Sequence, residues 1–122
     1  MVEGKPKALV IGGRSISGKA VLEEINNKGQ MNSVSLDLHI PTRSFRDPFV
    51  SSYFQCDPGN KEDLMIALQN SDTVFVTQHL TIPDTVDTRD ELIFEVTEKM
   101  IKNIIECCKE CGVKRLLAFS CL

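Results

Sequence analysis

A doubly wound parallel α/β sheet is the fold this sequence predicts, and three observations predict it. Short apolar runs recur along the chain, each about as long as a strand. Segments with helical spacing of apolar residues separate most of them. The first run, "ALVI" (8–11), passes into a glycine-bearing turn, "GGRSISG" (12–18), that opens a helix. Strands alternating with helices build a parallel sheet covered on both faces.

Each element has its own signal. "ALVI" is continuously apolar, as a strand buried on both faces should be. From Ser15 to Asn27, residues Ile16, Ala20, Val21 and Ile25 recur at helical spacing, and Gly29 can end that helix. "SVSLDLHI" (33–40) alternates, with Val34, Leu36, Leu38 and Ile40 on one side, which predicts a second strand. "PTRSFRDPF" (41–49) carries two prolines and reads as a loop. "SSYFQC" (51–56) is a short third strand, and "DPGN" a turn. Asn60 has the character of an N-cap, with Glu62 and Asp63 in the first turn and Leu64, Ile66, Ala67 and Leu68 behind them. "TVFVTQ" (73–78) is a fourth strand and "HLTIPDTVD" a loop. The longest helix runs from about Glu91 to Cys111, with Ile93, Val96, Met100, Ile101, Ile104, Ile105 and Cys108 as its apolar stripe. Gly112 stands where a glycine just past a helix end belongs. "KRLLAFSCL" (114–122) is the fifth strand. The predicted order is 3-2-1-4-5, with ligand at the carboxyl ends of the strands, near the point where the order reverses.

The 122 residues amount to one domain spanning 1–122. Net charge is −3 and the basic residues form no long run, so no nucleic-acid partner is expected. No apolar run nears the ~18 residues of a membrane span. "MVEGKPK" has no apolar signal region, which predicts a cytoplasmic protein. Its five cysteines are then expected as reduced thiols.

The glycine turn is where chemistry enters. A dinucleotide needs a chain that leaves the strand sharply, a backbone that approaches the pyrophosphate, and a helix packed close on the strand. The phosphates then meet free N–H groups and the positive end of the helix dipole. Gly12 can make the turn, Gly13 adds freedom, and Gly18 permits close packing. Ser15 stands where a middle glycine usually admits the phosphate; its side chain is small and its hydroxyl could donate to a phosphate, so the site is degraded relative to the full glycine pattern but not dead. A glycine pair after a strand is also what an ordinary turn looks like. Asp37, 25 residues after Gly12, adds to the binding reading, since a ribose-binding acid is expected about 20 residues on. A carboxylate there favours NAD. Arg14 and Arg43 pull toward NADP, because an arginine beside the ribose can pair with the 2′-phosphate. The plainer alternative makes Asp37 and Arg43 solvated loop charges.

With these residues in place, the chain resembles an extended short-chain dehydrogenase/reductase, and most of all its 3β-hydroxysteroid and sterol dehydrogenase branch. "VIGGRSISGKAVLEEI" resembles that family's opening "TGGxGFxG" and the helix after it. "SLDLHIP" resembles its second strand, ending in Asp. "YFQCDPGNKEDLMIALQNSDTVF" resembles the segment whose acid holds adenine, here Asp57. "FEVTEKMIKNIIECCKECGVKRLLAFSC" resembles "VNxxGTxNVIEACKEAGVKRLVYTSS". The resemblance implies a Rossmann-type domain of an oxidoreductase that moves a hydride between NAD (NADP being the alternative) and a hydroxyl or ketone carbon. It implies cofactor contacts from Gly12, Gly13, Arg14, Ser15, Ile16, Gly18, Asp37, Arg43, Asp57, Thr77 and His79.

The chain also departs from that pattern. Thr97, Met100 and Ile101 replace the Asn, Gly and Thr of the helix signature, and Cys121 falls about where the catalytic Ser or Thr would stand. The family's Tyr-x-x-x-Lys pair is absent: Tyr53 is the one tyrosine, and Asp57 stands four residues later. No catalytic residue is therefore assigned. Two readings follow, the cofactor half of a longer enzyme or a non-catalytic binder similar to NmrA-like proteins. "VFVTQH" resembles the fourth strand of the latter, whose second strand usually ends in Arg rather than Asp. A third reading is an interaction module that keeps the fold without a ligand. A truncated sheet can expose an edge and apolar surface that invite pairing, which leaves a homo-oligomer open without fixing the oligomeric state.

Three further features have plain readings. Cys107, Cys108 and Cys111 invite a metal, but structural zinc takes four ligands, no recognisable partner spacing supplies them, and Cys108 belongs to the apolar stripe. His79 follows the fourth strand, near the nicotinamide position, although a loop histidine is more often an ordinary surface group. Cys121 as a nucleophile would need a base and a positive field, and neither is identifiable.

Overall fold

The computed structural model describes residues 4–77 and 90–119, with side chains on the last helix described from Glu98 onward. Among the described residues five strands and three α-helices follow one another, with no α-helix between the second and third strands: β1 (Lys7–Ile11), α1 (Ile16–Lys28), β2 (Asn32–Asp37), β3 (Ser52–Gln55), α2 (Lys61–Leu68), β4 (Ser71–Val76), α3 (Asp90–Glu110) and β5 (Arg115–Ala118). The sheet order is β3-β2-β1-β4-β5 and the paired strands are parallel. This is the doubly wound fold expected from the sequence. The reversal of direction at β1 puts the carboxyl ends of β1, β2 and β4 around one crevice.

Two apolar layers sandwich the sheet. On one face Leu9, Ile11, Val34, Leu36, Val74 and Val76 pack against Leu64, Ala67 and Leu68 of α2 and Met100, Ile104, Cys107 and Cys108 of α3. On the other, Ala8 and Val10 pack against Leu22 and Ile25 of α1, with Val50. Lys7 extends its ammonium to the carbonyls of Ala67 (2.7 Å) and Gln69 (3.2 Å), placing a cation on the open carbonyls at the end of α2. Burial lowers the pKa of that amine.

Several details differ from the sequence reading. β2 ends at Asp37 rather than residue 40, because β3 pairs only with Val34–Asp37 and the carboxylate of Asp37 takes the next N–H, from Leu38. Its alternation is misleading too: Asn32 through Leu36 are all buried, since a central parallel strand is covered on both faces. The loop after it contains a 3₁₀ turn, Arg43–Phe45. β4 lies at 71–76, two residues earlier than expected. On α3, Ile101 and Ile105 are exposed, and Cys107 is buried in their stead. A straight helix puts 100, 104, 107 and 108 on one side, with 101 and 105 on its flank. Ile66 of α2 is exposed for the same reason. The expected caps are observed: Asn60 accepts the Asp63 N–H at 3.2 Å, and α1 and α3 run into glycines of positive φ, Gly29 and Gly112.

Candidate functional site

The site is a turn held from beneath. β1 runs into Gly12, whose φ of 85° strains any residue with a Cβ. The N–H groups of Gly12 and Gly13 both donate to the carbonyl of Leu36, at 2.8 and 3.3 Å, tying the turn to the end of β2. A Cβ on Gly13 would collide with the Ser35 side chain, and one on Gly18 with the Gly12 carbonyl. Both glycines are thus needed for close approach, one of turn to strand and the other of helix to turn.

Ser15 caps α1. Its Oγ accepts the Gly18 N–H at 2.9 Å and donates to the Gly12 carbonyl at 2.7 Å. The hydroxyl has one proton, and the carbonyl holds it. In this conformation the Ser15 hydroxyl serves the turn itself. The N–H of Arg14 goes to Asp37 and that of Ser15 to the Gly12 carbonyl. Among the described residues, the backbone N–H groups of Ile16 and Ser17 are left without acceptors at the start of α1. They are the first two donors of the helix, where its dipole favours an anion.

Asp37 stands beside them. Its Oδ2 accepts the Arg14 N–H at 3.1 Å and its Oδ1 accepts the Leu38 N–H at 2.8 Å. These bonds fix the carboxylate, and each oxygen keeps a lone pair for a ribose hydroxyl. The Cys56 N–H donates to the Asp37 carbonyl at 2.9 Å, which joins the end of β3 to the end of β2. Asp57 follows directly, exposed, with its Oδ1 on the Gly59 N–H at 2.8 Å. The two acids predicted from sequence thus share one edge of the sheet.

Thr77, just past β4, is buried. Its N–H and Oγ both reach the Ile11 carbonyl, at 3.0 and 2.9 Å, and the Oγ lies 3.2 Å from the Gly12 carbonyl. It supports the turn from below. The Ile16 side chain, at the start of α1, is 91% exposed. Arg14 and Lys19 line a cleft of about 300 Å³ with Tyr53 and Asp47. Arg43 is exposed on the 3₁₀ turn, and its guanidinium has no bond or ion pair among the described residues. His79 and Cys121 lie outside the described residues, and His39 is exposed. The Tyr53 hydroxyl accepts the Asp47 N–H at 2.8 Å, and Arg46 stacks over the ring at 5.4 Å.

Cys107 and Cys108 are core residues, packed with Ile104 and Leu64. Burial pushes the thiols of Cys56 and Cys108 up to about 11, with nearby Asp63 and Asp57 adding to the effect on Cys56.

Sequence reasoning missed Ser17 and Leu36. Ser17 was within reach, because once Ser15 is the cap the next two amides are the open ones. Leu36 acts through its carbonyl, and a backbone role leaves no trace in residue type.

The chain is similar to known proteins. The profile of the 3-beta hydroxysteroid dehydrogenase/isomerase family matches residues 9–122. The decarboxylating sterol-4-alpha-carboxylate 3-dehydrogenase of Mus musculus is 33% identical over 114 residues, covering 93% of this chain and 29% of its own length. Its Homo sapiens counterpart is 32% identical over 114 residues, covering 93% and 28%. The chain thus spans less than a third of these curated relatives. Among solved structures, the UDP-glucose 4-epimerase of Thermus thermophilus, in complex with NAD, has a TM-score of 0.71 at 25% identity, covering 90% of this chain and 36% of that one. Uronate dehydrogenase of Agrobacterium tumefaciens has a TM-score of 0.73 at 17% identity, covering 95% and 41%, and shares the fold.

Proposed function

The chain belongs to the 3-beta hydroxysteroid dehydrogenase/isomerase family, and from that premise we propose that it forms the nicotinamide dinucleotide site of an oxidoreductase of the extended short-chain dehydrogenase/reductase type. One observation carries the reading: two open amides, Ile16 and Ser17, at the start of α1 beside a carboxylate fixed by two backbone N–H groups. The pyrophosphate takes the amides and the adenine-side ribose takes Asp37, with Asp57 at the adenine. Gly12 and Gly18 keep the backbone close enough for this contact. When bound, the nicotinamide supplies the hydride acceptor or donor. NAD is the preferred form, because a 2′-phosphate beside Asp37 is a like-charge clash, which costs several kcal/mol at an interface.

The substrate class is read from the relatives named above: a sterol bearing a ring hydroxyl. The proton lost from that hydroxyl needs a base, and Tyr53 does not supply it. Its oxygen is engaged by Asp47, and Asp57 stands where a lysine would be needed to lower its pKa. This chain alone is expected to bind cofactor and turn over no 3β-hydroxysteroid, followed as absorbance of the reduced cofactor.

Titration calorimetry with NAD, NADH, NADP and NADPH tests the binding reading. Heat with NAD and NADH, weaker binding of the 2′-phosphorylated forms, and loss of that preference in Asp37→Asn are expected. No heat or thermal shift with any of the four at millimolar concentration sinks it. Tighter binding of NADPH than NADH transfers control of the pocket to Arg14 or Arg43.

A further inference from the structure

We infer that Ser15 and Thr77 form a hydroxyl clamp that holds the pyrophosphate seat in its binding shape before any ligand arrives. Ser15 is then a positioning residue. The inference deepens the proposed cofactor site and rests on that reading.

The clamp closes on one atom, the carbonyl oxygen of Gly12. Three donors converge there: the Ser15 N–H at 3.0 Å, the Ser15 hydroxyl at 2.7 Å and the Thr77 hydroxyl at 3.2 Å. The Thr77 hydroxyl is nearer the Ile11 carbonyl, at 2.9 Å, so its single proton is shared between two successive carbonyls at the end of β1. The two hydroxyl oxygens are 3.4 Å apart. While each proton stays on a carbonyl, neither hydroxyl has one left for the other, and that approach is packing rather than a further bond. β1, β4 and α1 are thereby joined at the residue whose positive φ makes the turn.

The consequence lies in what remains open. Gly12 and Gly13 give their amides to Leu36, Arg14 to Asp37, Ser15 to Gly12 and Gly18 to Ser15. Every amide from Gly12 to Gly18 is occupied within the described residues except those of Ile16 and Ser17. The seat therefore offers a phosphate two adjacent amides in a preset geometry. A preset seat spares the ligand the cost of ordering it. The middle glycine of the family's opening could make neither of the bonds Ser15 makes through its side chain. Thr77 is 1% exposed, so its hydroxyl serves the carbonyls of Ile11 and Gly12 rather than solvent.

The test separates a positioned seat from general support. NAD reaches the turn; adenosine occupies only the adenine and ribose positions. Ser15→Ala and Thr77→Val should each weaken NAD binding roughly three- to tenfold, the range set by loss of a helix cap, and leave adenosine binding within about twofold in an NMR titration. Ser15→Thr, which keeps a capping hydroxyl, should restore NAD affinity. Because both hydroxyls act on one carbonyl, the double variant should lose less than the product of the two single losses. Equal loss for NAD and adenosine, or NAD binding that is unchanged or tighter in Ser15→Ala, overturns the inference. A wild-type chain that binds no nucleotide would sink the cofactor reading instead. The clamp is then read without ligand, from exchange of the Gly18 amide, expected slow in wild type and Ser15→Thr and fast in Ser15→Ala. A fast Gly18 amide in the wild type overturns it.

Discussion

In β1, Ala8, Leu9, Val10 and Ile11 have no solvent-exposed surface; in β5, Arg115, Leu116, Leu117 and Ala118 are all exposed. Both strands are short and mostly apolar. The difference is one of position. β1 pairs with β2 on one side and β4 on the other, with α1 over one face and α2 and α3 over the opposite one. β5 pairs with β4 alone among the described residues. Its register sets Leu116 beside Val74 on the α2–α3 face and Leu117 beside Phe75 on the α1 face. Both leucines are exposed there, Leu116 at 38% and Leu117 at 44%. Ile101, Ile105, Leu116, Leu117 and Phe119, all exposed, belong to β5, the residue after it and the helix that leads into it. An apolar run thus marks a strand, while topology decides what covers it. The proposed cofactor site is untouched by this difference. The glycine turn, Asp37, Asp57 and Thr77 all rest on β1 to β4.

The largest effect expected is in the covered strand. Leu9→Ala removes a side chain with no exposed surface between two packed layers and should cost about 2–5 kcal/mol in denaturant unfolding. A loss under about 1 kcal/mol would mean that the centre of the sheet can collapse around the gap, and would break the contrast with β5.

The fold was legible because its signals are local. Asn60, Gly29 and Gly112 mark helix ends by chemistry that does not depend on the rest of the chain. "ALVI" and "TVFV" can hardly be anything but buried strands once helices separate them. The order β3-β2-β1-β4-β5 is one that right-handed crossovers allow, and the dinucleotide-type glycine turn after the first strand points to it. The misjudged details depend on partners. β2 ends where β3 ceases to pair with it and Asp37 turns back on the Leu38 N–H, and the alternation of "SVSLDLHI" shows neither. Ile101 and Cys107 exchange roles because the angular position of the core stripe is set by α2 and the sheet, which helical period alone does not reveal. At the site, the residue types at Gly12, Gly18, Asp37 and Asp57 pointed to their places. The residue type of Ser15 allows a phosphate contact or a helix cap, and nothing in it says that its proton is held by the Gly12 carbonyl.

The covered half should also show itself in alkaline titration. The Cys56 and Cys108 thiols sit in the cluster of Leu9 and Ile11, and burial raises both from 9.0 to about 11. A raised folded-state pKa adds stability that is full below the unfolded value, near 9.0, and lost as pH rises through about 11. Denaturant midpoints under reductant should therefore fall across that window. The fall should be shallower in a Cys56→Ala, Cys108→Ala double variant, which removes the thiols from the balance. Parallel pH profiles for the two proteins would show that these thiols ionise in the folded chain as they do in the unfolded one.

The smallest effect is expected at β5, and it sharpens the comparison most. Leu117→Ser changes a residue that is 44% exposed and has Phe75 as its register neighbour. Somewhat more than half of it is covered, so stability should fall by about 1 kcal/mol, well short of the loss at Leu9. NAD binding should not change, because β5 lies outside the strands that carry the turn and the two acids. Solubility should rise, since an apolar group on an open edge strand is removed. A cost comparable to that of Leu9→Ala would mean that β5 is covered in solution. If that cost grew with protein concentration, the cover would be a second copy of the chain, because only association responds to concentration.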